Sequence, residues 1–263
     1  MIKIQHNSGF FSCCSVRLNK IVDYINLEKK IPNIVDSSKQ FKWYKNNENK
    51  KKDITFHYFK NYKNILKSDV IFPIKYHHNH QFKIYSDIDY QSLTPLIHKY
   101  FSPSNGIKNI ITQIKEKYTL NYDNICVLFY RGNDKNRETK KCTYDEYTNY
   151  ADDLLRKNPK LQFLIQSDET EFIECMKKKF PDNFLCFENE IRHMNKCDST
   201  VDKKMRSNIF EFSKNYLAIT IIMSKCKYII CGSGNCDIWI MLYRGNNKNT
   251  IQNLNGIWYN NIE

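Results

Sequence analysis

Three short segments carry residue types that could together hold a phosphorylated ligand. Arg131 and Lys135 stand in Phe129-Tyr130-Arg131-Gly132-Asn133-Asp134-Lys135, and Ser167-Asp168-Glu169 and Gly232-Ser233-Gly234-Asn235 follow downstream. A guanidinium and an ammonium can neutralise a diphosphate, the guanidinium through forked hydrogen bonds. A glycine turn that opens a helix presents unpaired N–H groups and the positive end of the helix dipole to a phosphate. A carboxylate at Asp168 or Glu169 can accept hydrogen bonds from a ribose or a base edge. Each segment alone has an ordinary explanation, as a surface ion pair, a solvated loop acid or a tight turn. Their joint placement at successive strand ends is what points to a site.

Each of the three follows an apolar run. Residues 125–130 are continuously apolar, as expected of a parallel strand buried on both faces. A helix follows with Tyr144, Tyr147, Tyr150, Ala151, Leu154 and Leu155 on one side, then a strand over 162–166 and a helix over 171–180. A third strand over 183–187, a helix through Phe210, Tyr216, Ile219 and Met223, a strand over 227–231 and a helix over 238–243 complete the alternation. Strands alternating with helices imply a parallel sheet, and ligands of such sheets bind beyond the carboxyl ends of the strands.

The amino-terminal part opens in the same style. Residues 2–5 alternate like a strand and run through a turn containing Gly9 into a helical pattern from Val16 to Ile25, and residues 31–36 read as a second strand. From 42 to 81 the pattern weakens, and the lysine-rich stretch 46–53 reads as a surface loop. Ser102-Pro103-Ser104 before Ile107, Ile110, Ile111, Ile114 and Tyr118 signals the start of a helix. The expectation is an α/β protein of two Rossmann-like lobes, with parallel sheets flanked by helices and a cleft between. Residues 1–105 would form the amino-terminal lobe, and 106–263 the carboxyl-terminal Rossmann-like lobe.

Composition narrows the class. The 263 residues carry a formal net charge of +13, and 41% are hydrophobic. Asn, Lys, Ile, Tyr and Phe are over-used, as codons rich in A and T would produce. A basic surface attracts phosphates, nucleic acids and anionic membranes alike. No nucleic-acid-binding module accompanies the charge, so nucleic acid is not an expected partner. The ten cysteines are scattered without a Cys-x-x-Cys pair, which argues against structural zinc and for a reducing compartment. The start of the chain lacks the apolar core of a signal peptide, so a cytoplasmic location is expected. The most apolar stretch, 217–231, contains Lys225 and Lys227 and is too short to span a bilayer. His77, His78 and His80 lack the spacing of a helical metal pair and are expected to be exposed loop histidines.

In their order, the motifs resemble those of the α-1,6-fucosyltransferases and nodulation fucosyltransferases. The segment 129–135 is similar to that family's His-Val-Arg-Arg-Thr-Asp-Lys. Tyr144-Asp145-Glu146-Tyr147, the stretch 164–169 and the stretch 228–235 follow as Ile-Glu-Glu-Tyr, Leu-Ala-Thr-Asp-Asp and Leu-Val-Cys-Thr-Phe-Ser-Ser do there. The resemblance covers about Ile125 to Tyr243, with a weaker match at the glycine loop of Gly9, Phe10 and Ser12. It implies a GT-B-like, inverting, metal-independent transferase that moves a sugar, typically fucose, from a GDP-sugar to a glycan or other hydroxyl acceptor. The donor is then a substrate, and no cofactor is implied. By position, Arg131 and Lys135 would hold the diphosphate with Tyr147 nearby. Asp168 and Glu169 would read guanine or ribose, and Ser233, Gly234 and Asn235 would meet phosphate or sugar. Glu138 would be the catalytic base, one position out of step with the family's glutamate.

The sequence departs from the pattern at Phe129-Tyr130, where the family has His-Val, and at Gly132, where it has a second arginine. An aspartate of the helix before the last strand is replaced by apolar residues around Ile219. Two alternatives stay open. Asp87-Ile88-Asp89 has the Asp-x-Asp form that metal-dependent transferases use to hold Mn²⁺. The other is a protein that binds glycan or nucleic acid without catalysis.

Overall fold

The computed structural model describes residues 1–62 and 73–263. Two strands, β1 (Ile2–His6) and β2 (Val35–Gln40), pair in parallel and are connected through α1 (Phe10–Glu28). β2 starts four residues later than the expected strand over 31–36, because two of its three buried side chains are polar. Ser37 and Gln40 are fully buried, and the Ser37 hydroxyl donates to Gln40 Oε1 at 2.8 Å while accepting from the buried Arg17. Hydrogen bonding, not apolar alternation, fixes that strand.

Three helices lead to the second sheet: α2 (Thr55–Tyr58), α3 (Tyr90–Tyr100) and α4 (Asn105–Lys117). The Ser-Pro-Ser signal sits where α4 begins, with the Ser104 hydroxyl accepting from the Ile107 N–H at 3.4 Å. α3 was not anticipated. Its amino-terminal cap is Asp89, which accepts from the Ser92 N–H at 3.1 Å.

The second sheet has strands β3 (Ile125–Tyr130), β4 (Gln162–Ser167), β5 (Phe184–Leu185), β6 (Tyr228–Cys231), β7 (Thr250–Leu254) and β8 (Ile257–Asn261). Their order is β5-β4-β3-β6-β7-β8, all parallel except the last. The intervening helices are α5 (Tyr144–Lys157), α6 (Thr170–Lys179), α7 (Val201–Lys204), α8 (Ile209–Lys225) and α9 (Asn235–Arg244). The chain winds outward from β3 to β5, then returns to β6 on the other side of β3. That reversal opens a crevice at the carboxyl ends of β3 and β6, where doubly wound sheets bind their ligands.

β3 is buried along its whole length and divides the core with a period of two. Ile125, Val127 and Phe129 enter one hydrophobic cluster, and Cys126, Leu128 and Tyr130 enter the other. The first cluster continues through α4, α8 and α9 into Leu18, Ile21 and Phe41 of the amino-terminal part. Trp239 of α9 donates its indole N–H to Ser15 of α1 at 2.9 Å. The position at which two lobes were expected to part, 105/106, falls at the first residues of α4, which packs on α8.

The β7–β8 hairpin was also unanticipated, although its signal was present. Asn255 and Gly256 both have positive φ, 55° and 83°, as a two-residue turn between twisted strands demands. β8 is tied to α5 through Glu146, which closes a capping box with Thr143 and accepts from the Trp258 indole at 3.0 Å. Among the described residues no helix is long and apolar enough to cross a membrane. All ten cysteines are free, with Cys126 and Cys231 buried as small core residues.

Candidate active site at the switch point

A cavity of about 570 Å³ occupies the crevice. Its floor is the carboxyl edge of the six-stranded sheet, contributing Phe129, Arg131, Gln166, Asp168 and Asn235. The amino-terminal part closes the opposite wall with Ser8, Gly9, Phe10, Phe11, Ser12 and Trp43. The segment leading to α7 supplies a third side through Arg192 and Thr200, continued by Asp202 of α7 itself.

Arg131 is the central cation. Its Nε donates to Asp168 Oδ2 at 2.9 Å, its terminal nitrogens reach the Tyr216 hydroxyl at 3.3 Å and Asp134 at 3.5 Å, and about a fifth of the side chain is exposed. Burial alone would weaken its hold on the proton, but Asp168, then Tyr216 and Asp134, outweigh it and raise the pKa further. Asp168 is held rigidly because its other oxygen accepts from the Gly132 N–H at 2.8 Å. Lys135, nine-tenths buried, reaches Glu138 Oε2 at 2.5 Å. It also approaches the glycine turn, where a Cβ at Gly234 would stand 3.5 Å from its Nζ. The two cations thus flank the start of α9.

The cavity brings together Gly9, Phe10, Ser12, Arg131, Lys135, Glu138, Asp168 and Asn235. Four other expected site residues lie outside it. Glu169 has no exposed surface, and its carboxylate accepts from Tyr144 at 2.6 Å and Lys141 at 3.3 Å, which leaves it no face toward a ribose or base. Tyr147 is buried behind β3 and donates to the Phe129 carbonyl at 2.9 Å. The Ser233 hydroxyl donates to the Asn253 carbonyl and accepts from Gln252, both at 2.8 Å. Ser233 and Tyr147 line only a neighbouring cavity of about 30 Å³, which Arg131 and Lys135 also reach. Gly234 lines neither cavity, and its Cβ position would press on Asp237 at 2.8 Å. Gly132 stands where the family has its second arginine, and the Glu169 carboxylate fills the space a side chain would need there.

Several lining residues escaped the sequence reading. Gln81 and Gln166, like the expected Asn235, each keep one buried amide atom without a protein partner among the described residues. Unpaired polar atoms in a cavity wall favour a polar occupant. Asp202 lies in a stretch without periodicity, so no sequence signal marked it. Asp237 did have a signal, an acid in the first turn after the glycine turn.

The Asp237 carboxyl is buried, and burial pushes its pKa up from 3.8 to about 6 against the pull of Lys135 and Arg131. The folded chain therefore binds this proton more tightly than the unfolded chain, and stability falls as pH rises through that window. Asp237→Asn removes the effect. A gap of about two units corresponds to about 3 kcal/mol of stabilisation at pH 8, or about 6 °C in Tm, shrinking to about half at pH 5. Melting curves at both pH values check this, and a variant less stable than the parent at pH 8 would contradict it.

The two carboxylates of the Asp-x-Asp segment do not line the cavity. Asp89 is committed to capping α3, and Asp87 is an exposed residue beside the Ser86 hydroxyl. Among the described residues, no three of His, Cys, Asp and Glu converge as metal ligands. Of the three histidines, His77 is exposed while His80 is packed against Tyr76 and nine-tenths buried, a correction to the expected exposed loop.

Fold and cavity define an α/β protein with a cation-lined crevice at the switch point of a parallel sheet. No protein-family model and no curated protein sequence matches the chain. Among solved structures it is similar to a NodZ α-1,6-fucosyltransferase soaked with GDP-fucose, at 12% identity and a TM-score of 0.41 over 64% of this chain and 52% of that one. It is similar also to a variant of Arabidopsis thaliana FUT1 in complex with GDP, at 10% identity and a TM-score of 0.40 over 66% of this chain and 38% of that one. The chain thus spans about half the length of the first and less of the second.

Proposed function

We propose that the cavity holds a GDP-sugar, with GDP-fucose the leading donor, and that the protein transfers the sugar to a glycan hydroxyl. The observation that carries this reading is the convergence of Arg131, Lys135 and the start of α9 on one cavity at the switch point. A diphosphate there would meet two fixed cations and a helix dipole, the charge relief its departure requires. Those cations can take the place of a divalent metal, so the transfer is metal-independent and needs no cofactor beyond the donor. The nucleoside and the inverting course rest on the resemblance of the motifs between Ile125 and Tyr243. The amino-terminal wall, with Trp43 and Phe82 at the cavity, supplies the acceptor side.

Thermal melts with GDP-, UDP- and CDP-sugars, with and without Mn²⁺, test the reading. A ligand at about a hundred times its Kd stabilises the fold by about 2.7 kcal/mol, or about 6 °C here. GDP-fucose and GDP should give that shift without Mn²⁺. A shift confined to UDP- or CDP-sugars, or one that requires the metal, would overturn it.

A further inference from the structure

Inverting transfer is helped by a base that can take the acceptor's proton beside the cavity, and five carboxylates line it: Asp134, Glu138, Asp168, Glu190 and Asp202. Four are already paired with a cation, two of them sharing Arg131. Asp134 and Asp168 pair with Arg131 at 3.5 and 2.9 Å, Glu138 with Lys135 at 2.5 Å, and Glu190 with Lys117 at 2.8 Å. A carboxylate gripped by a cation is a poor proton acceptor. Asp202 differs: among the described residues its hydrogen-bond partner is the Tyr44 hydroxyl, at 2.5 Å on Oδ2, and no cation stands within ion-pair distance. Burial raises its pKa against the opposing effects of Tyr44, Arg131 and Arg192.

Its position is built. Asn133, one residue beyond Gly132, donates to the Asp168 carbonyl at 2.6 Å and accepts from the Cys197 N–H at 2.8 Å, which pins the segment before α7 to the sheet edge. Tyr44 is fully buried and also accepts from the Phe10 N–H at 2.7 Å, so the phenol that orients Asp202 is fixed by the start of α1.

We propose that Asp202, oriented by Tyr44, is the general base of the transfer, in place of Glu138. The inference rests on the GDP-sugar reading above. The acceptor O–H proton passes to Asp202 as the acceptor oxygen bonds to the anomeric carbon. The anomeric carbon–oxygen bond to the diphosphate breaks, and its electron pair leaves on GDP against Arg131 and Lys135. Glu138 then serves to hold Lys135 in place.

GDP release from GDP-fucose, with water as acceptor, reads the step without knowledge of the natural acceptor. Asp202→Asn should lose at least about 100-fold in this rate, the loss usual for a general base, while binding GDP as tightly as the parent. Tyr44→Phe, which keeps the carboxylate but frees its orientation, should lose about 10-fold. Glu138→Gln should lose less than Asp202→Asn. Azide needs no deprotonation, so adding it should restore GDP release to Asp202→Asn and yield glycosyl azide of inverted configuration. Retention of water-driven release by Asp202→Asn would overturn the assignment, as would a defect that azide does not relieve. Failure of the parent protein to bind GDP at all would instead sink the nucleotide reading on which it rests.

Discussion

Arg131→Ala is expected to weaken GDP binding about 100-fold or more and to abolish measurable transfer. Truncating one partner of a buried, hydrogen-bonded charge pair costs about 2–5 kcal/mol, much of it from the charge left behind. Here that charge is Asp168, whose oxygens would keep, among the described residues, only the Gly132 N–H and would stand as uncompensated negative charge on the cavity floor. A diphosphate would then meet repulsion where it had met attraction. The loss should also appear as destabilisation of the empty protein, so Arg131→Lys provides the control. It keeps the charge and the pairing with Asp168 but not the fork, and should fold with a near-parental Tm while binding GDP about 10-fold more weakly. Titration calorimetry on both variants measures this. Parental affinity in either would remove Arg131 from the site.

Gly132→Ala should destabilise the fold by about 3–5 kcal/mol, the range for breaking a buried charge pair. The reason is space, not backbone freedom. Gly132 has φ −100° and ψ −78°, which an alanine adopts readily, but a methyl group there would lie 1.8 Å from the Glu169 carboxyl carbon. Glu169 cannot swing aside without surrendering Tyr144 and Lys141, and it has no exposed surface to move toward. A double-mutant cycle isolates the cause. In an Glu169→Ala background the added penalty of alanine at 132 should largely vanish, since the clashing group is gone. Additive losses in denaturant melts would show that the constraint lies elsewhere.

That pair of residues also shows what was legible in the sequence. The six consecutive apolar residues before Arg131 marked β3 with its observed limits, and the alternation beyond it gave the parallel sheet. Strand-end logic then placed Arg131, Lys135, Asp168 and Asn235 on one rim, where the cavity lies. The failures came where side chains bond inward. Glu169 and Ser233 look like exposed polar turn residues, yet Tyr144, Lys141, Asn253 and Gln252 absorb their hydrogen bonds. The sequence carries no trace of those long-range partners. β2 was misplaced because beyond Val35 its core-facing residues, Ser37 and Gln40, are polar and satisfied by Arg17 and each other. The β7–β8 hairpin was missed despite its Asn-Gly turn, because β7 mixes Thr, Gln and Asn into a buried strand. Asp202 was invisible for another reason: its position depends on a nonperiodic segment tethered through Asn133 and Tyr44.

A crystal structure of the protein with GDP tests the central claim most directly. The account predicts both phosphates in the switch-point crevice, within about 3 Å of the Arg131 guanidinium and the Lys135 ammonium, against the first turn of α9. A nucleotide bound elsewhere, or one whose phosphates turn away from both cations, would contradict it.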